Sequence, residues 1–326
     1  ESRQDHCRAL RKWLPKVSKQ YPDSRNQGGN MHSNRVSKFL VFRISLLLLS
    51  VCCCINATSA MTTHPDIPYA TLATQPLLLD LYLPDNTSNP PLILWLHGGV
   101  WRFGSKANPE IIGIVEQGFA LASVDFRNSP QARFPAQIHD IKAAIRFLRA
   151  NAADYGFDPD KIVLWGYSSG GHLAALTGVS NGNAVLEGTL GQYRQVSSDV
   201  QAIIDFSGPT NLHTILHQST PHGVSVRAPG MQDLLGKAVE DPAVQDMVDL
   251  ASPVLQVSDN SPPLLLMHGL QDNQVPVNQA LELQAAYQAR GRHVEVRWIP
   301  QGQHGSGEYF RSPYIEQVAD FLRRML

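Results

Sequence analysis

The chain has 326 residues, of which 27 are Lys or Arg and 28 are Asp or Glu. These charges are unevenly divided, because the first 60 residues carry ten Lys/Arg and three Asp/Glu whereas residues 61–326 carry 17 and 25. The acidic body argues against a nucleic-acid partner, since phosphate binding requires clustered Lys and Arg. All four cysteines precede residue 55, so the body has no disulfide and no cysteine nucleophile, and no His/Cys group has metal-ligand spacing.

The first 60 residues have the pattern of a removable leader. The chain begins with Glu, so we expect synthesis to start at Met31 and interpret residues 1–30 as an upstream or non-native extension. After Met31, basic residues precede an uncharged apolar run over 44–55, and small residues follow it. This order is typical of a signal peptide, and the run is too short to span a bilayer as a helix. We therefore predict a signal peptide over 31–60 and a secreted or periplasmic protein that has no membrane attachment after cleavage. The alternatives are an uncleaved anchor, or a cytoplasmic protein if synthesis starts at Met61.

Residues 61–326 alternate apolar runs with amphipathic segments, which predicts a single α/β domain with a mostly parallel sheet and helices on both faces. The predicted strands are 77–83 (antiparallel), 92–96, 119–126, 161–165, 201–206, 263–268 and 293–299. The predicted helices are 107–117, 135–155, one beginning near 171, 277–290 and 314–326. On the second of these helices we expect Lys142, Arg146 and Arg149 to face water, and we expect a turn at 158–160.

Residues 208–261 break this rhythm, because they are rich in Pro, Gly, His and Gln. A long insertion at this point of an α/β sheet lies over the carboxyl ends of the strands. We therefore predict a cap over the sheet, with one helix near 240–250.

The sequence Gly-Tyr-Ser-Ser-Gly at residues 166–170 follows a predicted strand and precedes a predicted helix. In that context a G-x-S-x-G motif forms a nucleophile elbow, a turn so sharp that its serine adopts a strained backbone conformation. Both flanking positions must be glycine because a side chain would clash there. We therefore predict that Ser168 is a nucleophile and that the Ser169 N–H points to the place where an oxyanion forms.

A serine hydroxyl is a weak nucleophile, so it needs a base, and the base needs a residue that orients it. Where a serine nucleophile stands on such an elbow, the acid and then the histidine follow the serine along the chain. Asp272 comes after the predicted strand 263–268 and His304 after the strand 293–299, so both stand at the carboxyl ends of strands. We predict Asp272 as the acid and His304 as the base, and Asp205 is the alternative acid because it also ends a core strand.

A second glycine-containing loop, His-Gly-Gly-Val-Trp at 97–101, directly follows the strand 92–96. Adjacent glycines let a backbone approach a ligand and point N–H groups into a cavity. We predict that the N–H groups of Gly99 and Val100 complete an oxyanion hole with that of Ser169.

We expect some side chains around these motifs to contact the substrate and others to support the structure. We expect Trp101, and Tyr167 beside the serine, to contact the substrate. We expect His97 to brace its loop, and His172, on the helix after the serine, to be structural.

Together these motifs resemble those of the α/β-hydrolase serine esterases. The segments that carry the resemblance are 97–101, 166–172, 268–272 (His-Gly-Leu-Gln-Asp) and 302–304 (Gly-Gln-His). Within that fold the chain is similar, over about residues 66–326, to the branch that contains bifunctional deacetylase/feruloyl-esterase proteins and relatives of the hormone-sensitive lipases.

The resemblance implies that Ser168 is the nucleophile, Asp272 the acid and His304 the base, and that the substrates are carbohydrate esters. The chain departs from the family pattern at two positions. Ser169 replaces a common alanine, and Val100 stands where a third glycine or an alanine is common, which would narrow the site.

We therefore predict a serine carboxylic-ester hydrolase that acts through an acyl-enzyme, without a cofactor or metal, on short-acyl or carbohydrate-linked esters. Two alternatives remain open at this point. The first is an amidase such as an arylformamidase, which shares the H-G-G-x-W pattern, and the second is a non-catalytic binding protein on a hydrolase scaffold.

Overall fold

The structure, a computed structural model, describes residues 61–73 and 75–326. The predicted extension over 1–30 and the predicted signal peptide over 31–60 lie outside these residues. Within the part of the chain that the structure describes, no helix is long and apolar enough to cross a membrane.

The strands form one eight-stranded sheet in the order β1-β2-β4-β3-β5-β6-β7-β8. They are β1 (Met61–Thr71), β2 (Pro76–Pro84), β3 (Pro91–Leu96), β4 (Ala120–Val124), β5 (Asp158–Tyr167), β6 (Ala202–Phe206), β7 (Leu264–Gly269) and β8 (Val294–Ile299). β1 pairs antiparallel with β2, β2 pairs antiparallel with β4, and β3 to β8 run parallel to one another. The mostly parallel sheet predicted from the alternation is confirmed, including the antiparallel strand near residue 77.

The sequence did not predict β1, which is an edge strand that pairs with β2 alone. It contains Pro65 and Pro68, and its register slips between His64 and Ile67 and again after Pro68. Proline cannot donate a ladder hydrogen bond, so it is tolerated at an edge and at irregular points of a sheet. Because of these prolines, β1 could not be predicted from apolar runs.

Both faces of the sheet are covered, as the continuous apolar runs predict. Along β3, Leu92 and Leu94 join one buried cluster, whereas Ile93 and Trp95 join another on the opposite face. The α-helices are α1 (Ala136–Ala150), α2 (Ala152–Tyr155), α3 (Ser169–Val179), α4 (Ala184–Glu187), α5 (Ile215–Gln218), α6 (Pro221–Leu235), α7 (Gln245–Leu250), α8 (Pro253–Gln256), α9 (Asn278–Ala289) and α10 (Tyr314–Met325). Among the described residues, 3₁₀ turns lie at Ile112–Gln117, Pro242–Val244 and Gly307–Phe310.

Three local predictions are corrected. The helix expected over 107–117 is only the 3₁₀ turn Ile112–Gln117, because Asn108 has a left-handed φ of 53° and Pro109 follows it. The helix expected over 135–155 stops at Asn151 and restarts as α2. The turn expected at 158–160 is the beginning of β5.

The predicted cap over 208–261 contains α5 to α8, and α7 is the helix expected near 240–250. The longest helix of the cap, α6, was not predicted because proline and glycine recur along it, with Pro229 inside the helix. Its start has favourable chemistry, since Thr220 caps the N–H of Gly223 at 3.0 Å and a proline occupies the first turn.

The side chains of Lys142 and Arg146 on α1 are buried, which corrects the prediction that they face water. The Glu187 carboxylate, at the end of α4, receives the ammonium of Lys142 at 2.5 Å and the guanidinium of Arg146 at 3.0 Å. The hydroxyl of Ser198 also donates to it at 2.8 Å. One carboxylate therefore balances two cations that have lost their water.

Replacing Glu187 by Gln should lower the free energy of unfolding by about 3 kcal/mol, because it leaves two buried cations without a counter-charge. Urea unfolding of the purified protein measures this. Glu295→Gln is the matched control, since Glu295 also pairs with two cations, but these are Arg297 and Arg324, whose side chains are 42% and 49% exposed. That change should cost less than about 1 kcal/mol. Equal losses for the two variants would contradict the argument.

Candidate active site

The turn between β5 and α3 holds Ser168 in a strained backbone conformation, with φ 56° and ψ −123°. A Cβ on Gly166 would lie 2.0 Å from the carbonyl oxygen of Gly170, and a Cβ on Gly170 would lie 2.0 Å from that of Leu96. Neither contact is possible for a real side chain. The chain therefore needs both glycines to make the turn, as the sequence predicts.

The hydroxyl of Ser168 lies 2.9 Å from His304 Nε2, and His304 Nδ1 lies 2.7 Å from an oxygen of Asp272. Asp272 stands in the loop after β7 and His304 in the loop after β8. Parallel strands bring these loops to one edge of the sheet, beside the turn that follows β5. The structure thus brings together the three residues that the sequence selects as nucleophile, acid and base.

The Asp272 carboxylate is fixed by its own loop. One oxygen accepts the backbone N–H groups of Gln274 and Val275, each at 2.9 Å, and the other accepts from His304. Burial acts to raise the pKa of Asp272, but the hydrogen bond and charge of His304 outweigh it, so this pKa lies below its ordinary value. The ionised carboxylate assigns the proton of neutral His304 to Nδ1 and leaves Nε2 to accept the hydroxyl of Ser168. Burial also lowers the pKa of His304, against the influence of Asp272.

Asp205, the alternative acid, makes no contact with His304. One of its oxygens accepts the N–H of Gly208 at 2.8 Å, and the other is buried without a hydrogen-bond partner among the described residues. Burial raises the pKa of Asp205 to about 7. This side chain lies under α3 against Gly171, so its position is internal.

The loop after β3 presents unpaired backbone N–H groups near the serine. Within the part of the chain that the structure describes, the N–H groups of Gly99, Val100 and Ser169 donate to no protein acceptor. Gly99 has a φ of 124°, and a Cβ there would lie 2.3 Å from the carbonyl oxygen of Phe103. A Cβ on the preceding residue, Gly98, would lie 3.4 Å from that of Ser168, so the loop passes directly beside the serine. These N–H groups are free to bind a negatively charged oxygen.

The expectation that Trp101 contacts the substrate is corrected, because its side chain is 1% exposed and packs in the core. Its indole N–H donates to His172 Nδ1 at 2.9 Å, and His172 Nε2 in turn lies 2.8 Å from the carbonyl oxygen of Ala251. Burial lowers the pKa of His172 to about 4, so the ring is neutral. His172 is structural, as predicted, and it joins the loop of Trp101 to the cap.

Tyr167 and His97 support the site from two sides. The ring of Tyr167 lies 5.2 Å from that of His304, and it is partly exposed. The ring of His97 stacks on Phe126 at 4.4 Å, and its Nδ1 lies 2.8 Å from the carbonyl oxygen of Gly98. His97 therefore braces the glycine loop, as the sequence suggests, and Tyr167 lies close enough to the histidine to border a bound substrate.

Arg227, on the cap helix α6, is the residue that sequence reasoning missed. Its Nη2 lies 2.9 Å from His304 Nε2, 3.3 Å from the hydroxyl of Ser168 and 3.4 Å from the side-chain oxygen of Gln274. The side chain is fully buried. The sequence gives little sign of this role. Arg227 stands between small and apolar residues, in a segment that has no hydrophobic periodicity and no motif.

No group of three or more His, Cys, Asp or Glu side chains among the described residues could hold a metal ion. The geometry around Ser168 is that of a nucleophile with a base behind it and N–H donors beside it. This arrangement supports attack on a carbonyl carbon.

Comparisons with known proteins identify what the chain is similar to. The family profile described as BD-FAE matches residues 79–287. Esterase LipQ of Mycobacterium tuberculosis is 30% identical over 272 residues, which are 79% of this chain and 61% of that protein. Isoprenylcysteine alpha-carbonyl methylesterase ICME of Arabidopsis thaliana is 29% identical over 222 residues, which are 67% of this chain and 51% of that protein. The chain thus spans roughly half to three fifths of the length of these curated relatives.

Two solved structures extend the comparison. A truncated form of a carbohydrate esterase from gut microbiota is 34% identical, with a TM-score of 0.72, and the match covers 81% of this chain and 96% of that one. A bifunctional GH43-CE protein of Bacteroides eggerthii is 35% identical, with a TM-score of 0.71, over 81% of this chain and 35% of that one. The α/β-hydrolase fold that the resemblance predicts is therefore confirmed.

Proposed function

We propose, from the premise that this chain belongs to the BD-FAE family, that it is a serine carboxylic-ester hydrolase that acts through an acyl-enzyme. One observation carries the proposal, the hydrogen-bonded line from Ser168 through His304 to Asp272. The relatives named above are called esterases or methylesterases, which favours ester over amide substrates. The complete line of three side chains speaks against a binding protein that has lost its chemistry.

In the proposed first step, Nε2 of His304 takes the proton of Ser168 while the serine oxygen attacks the carbonyl carbon of the ester. The carbonyl oxygen becomes negatively charged, and the N–H groups of Gly99, Val100 and Ser169 bind it. Asp272 stabilises the imidazolium that forms.

The tetrahedral intermediate then collapses, and His304 returns its proton to the departing alcohol. The acyl group stays on Ser168 as an ester. Water, deprotonated by His304, attacks this acyl-enzyme and releases the carboxylic acid, which restores the free serine. No cofactor takes part in this sequence.

We further propose short-acyl or carbohydrate-linked esters as the substrates. Two solved neighbours above 30% identity are named as a carbohydrate esterase and as a GH43-CE protein. The site is also narrow, because Ser168 is only 3% exposed and Val100 packs against Gly230 of the cap helix α6. The names of the neighbours support carbohydrate-linked esters, and the narrow site supports a small acyl group.

A panel of p-nitrophenyl esters from acetate to dodecanoate, with acetylated xylan and methyl ferulate beside it, tests the proposal. We expect the highest kcat/KM on acetyl and butyryl esters. The matched amide p-nitroacetanilide should react far more slowly than p-nitrophenyl acetate, and Ser168→Ala gives the background. A kcat/KM on dodecanoyl esters equal to that on acetyl esters would overturn the short-acyl proposal, and faster amide hydrolysis would favour the amidase.

We propose export of the protein, supported by the basic and then apolar order of residues 31–60. N-terminal sequencing of the exported protein should find a start near residue 61. A mature protein that retains Cys52, Cys53 and Cys54 would contradict cleavage.

Replacing Asp272 by Asn should lower kcat by roughly 10³- to 10⁴-fold, because an amide lets His304 adopt the wrong tautomer. Asp205→Asn is the matched control at the end of the neighbouring strand, and it should leave most of the activity. Burial raises the Asp205 pKa to about 7, so the carboxyl is largely neutral below that pH and an amide is a close substitute. Steady-state kinetics and thermal melting of both variants measure this. An inactive Asp205→Asn beside an active, folded Asp272→Asn would reverse the assignment.

The acid limb of kcat/KM should have its midpoint below pH 6.5, the ordinary pKa of histidine. His304 must be neutral to accept the serine proton, and burial lowers its pKa, so protonation inactivates the enzyme only at more acidic pH. A pH profile of kcat/KM on p-nitrophenyl acetate, with stability checked at each pH, measures the midpoint. A midpoint above 6.5 would show that Asp272 outweighs burial.

A further inference from the structure

Arg227 is a buried cation whose nearest favourable charge, the Asp272 carboxylate, acts on it without direct contact. Among the described residues no carboxylate forms an ion pair with it, and its Nε and Nη1 have no hydrogen-bond partner. Its third nitrogen, Nη2, contacts only the neutral groups of Ser168, His304 and Gln274. A buried guanidinium is costly unless it is paired and hydrogen-bonded, so this side chain is built to receive an anion.

The position of Nη2 identifies the part of the substrate that meets it. During ester cleavage the leaving alcohol oxygen must lie within hydrogen-bond distance of His304 Nε2, and it shares one carbon with the oxygen of Ser168. Nη2 already lies 2.9 Å from that Nε2 and 3.3 Å from that oxygen. Both distances fit the place of the leaving oxygen, and a substrate bound there would displace the guanidinium toward its alcohol side.

The proton transfer to His304 also favours displacement of the guanidinium. When His304 becomes an imidazolium, Nε2 changes from acceptor to donor, and its contact with Nη2 becomes a repulsion between two cations. A negative charge on the alcohol side would receive the displaced guanidinium and remove that repulsion. The oxyanion does not serve this purpose as well, because Gly99, Val100 and Ser169 already offer it three free N–H groups.

We propose that Arg227 is a specificity-determining residue that selects esters whose alcohol carries a carboxylate close to the ester oxygen, such as an acylated uronic-acid sugar. The planar guanidinium binds a carboxylate through two parallel hydrogen bonds, which Lys cannot reproduce. The inference rests on the proposed ester hydrolysis and adds the class of alcohol to it.

Two pairs of esters test the charge on each side of the bond. The alcohol-side pair is methyl 4-O-acetyl-glucopyranosiduronic acid and its uronamide, which differ only in the charge of the carboxyl group. The acyl-side pair is monomethyl succinate and methyl succinamate. Each pair is measured as a ratio of kcat/KM, charged over neutral, for wild type, Arg227→Gln, Arg227→Lys and Arg133→Gln. Arg133 is an exposed arginine near Gly236 at the end of α6, so its variant controls for the loss of one positive charge.

Wild type should prefer the uronate over the uronamide by about 10- to 100-fold, the range for a hydrogen bond to a charged group. Arg227→Gln should bring that ratio to about one, whatever its effect on the absolute rates. Arg227→Lys should give an intermediate ratio, and Arg133→Gln should match wild type. The succinate pair should show no preference in any variant.

Equal losses on uronate and uronamide in Arg227→Gln would overturn the inference, because Arg227 would then serve the reaction and not the selection. A wild-type preference in the succinate pair alone, or in neither pair, would also overturn it. If thermal melting shows that Arg227→Gln does not fold, the wild-type ratio and the Arg227→Lys ratio decide. A wild type inert on these esters and on p-nitrophenyl acetate would overturn the proposed function itself, whereas an active wild type without charge preference refutes only the inference.

Discussion

The close approach of the backbone at the turn around Ser168 is the constraint on which the rest of the site depends. The carbonyl oxygens of Leu96 and Gly170 lie where side chains at residues 170 and 166 would begin. Because the turn is locked between β3 and α3, the serine stands at the carboxyl edge of the sheet in a conformation that it would not adopt alone. The parallel register of β5 to β8 then brings the loops of Asp272 and His304 to the same edge. The sheet supplies the position and the loops supply the chemistry.

Much of this site could be predicted from the sequence because its signals are local. Gly166 and Gly170 flank a serine between a strand and a helix, and Asp272 and His304 follow apolar runs at their carboxyl ends. Chain order favours Asp272 over Asp205 as the acid. In the structure, Asp272 is the carboxylate that contacts His304. In the fold, the strands with continuous apolar runs were predictable for the same reason.

Features that depend on distant contacts could not be predicted. Lys142 looks like a surface residue on its own helix, and its burial depends on a glutamate 45 residues later and on the carbonyl oxygen of Ser180. Trp101 follows two glycines in a predicted site loop, yet its indole turns to His172, which lies 71 residues away. Arg227 lies in a helix that could not be predicted, because prolines and glycines recur along it. In each case the deciding partner is remote in sequence, so periodicity and composition carry no sign of it.

Two of the contacts between the cap and the site bear on how a substrate could enter. Val100 packs against Gly230 of α6, and the bond from His172 to the carbonyl of Ala251 ties α3 to the end of α7. Burial lowers the His172 pKa to about 4, so that second tie keeps its donor and acceptor unchanged at neutral pH. With the cap fastened on both sides, we expect a substrate to reach Ser168 by rotating the side chain of Arg227, because a rotation of one side chain breaks neither tie.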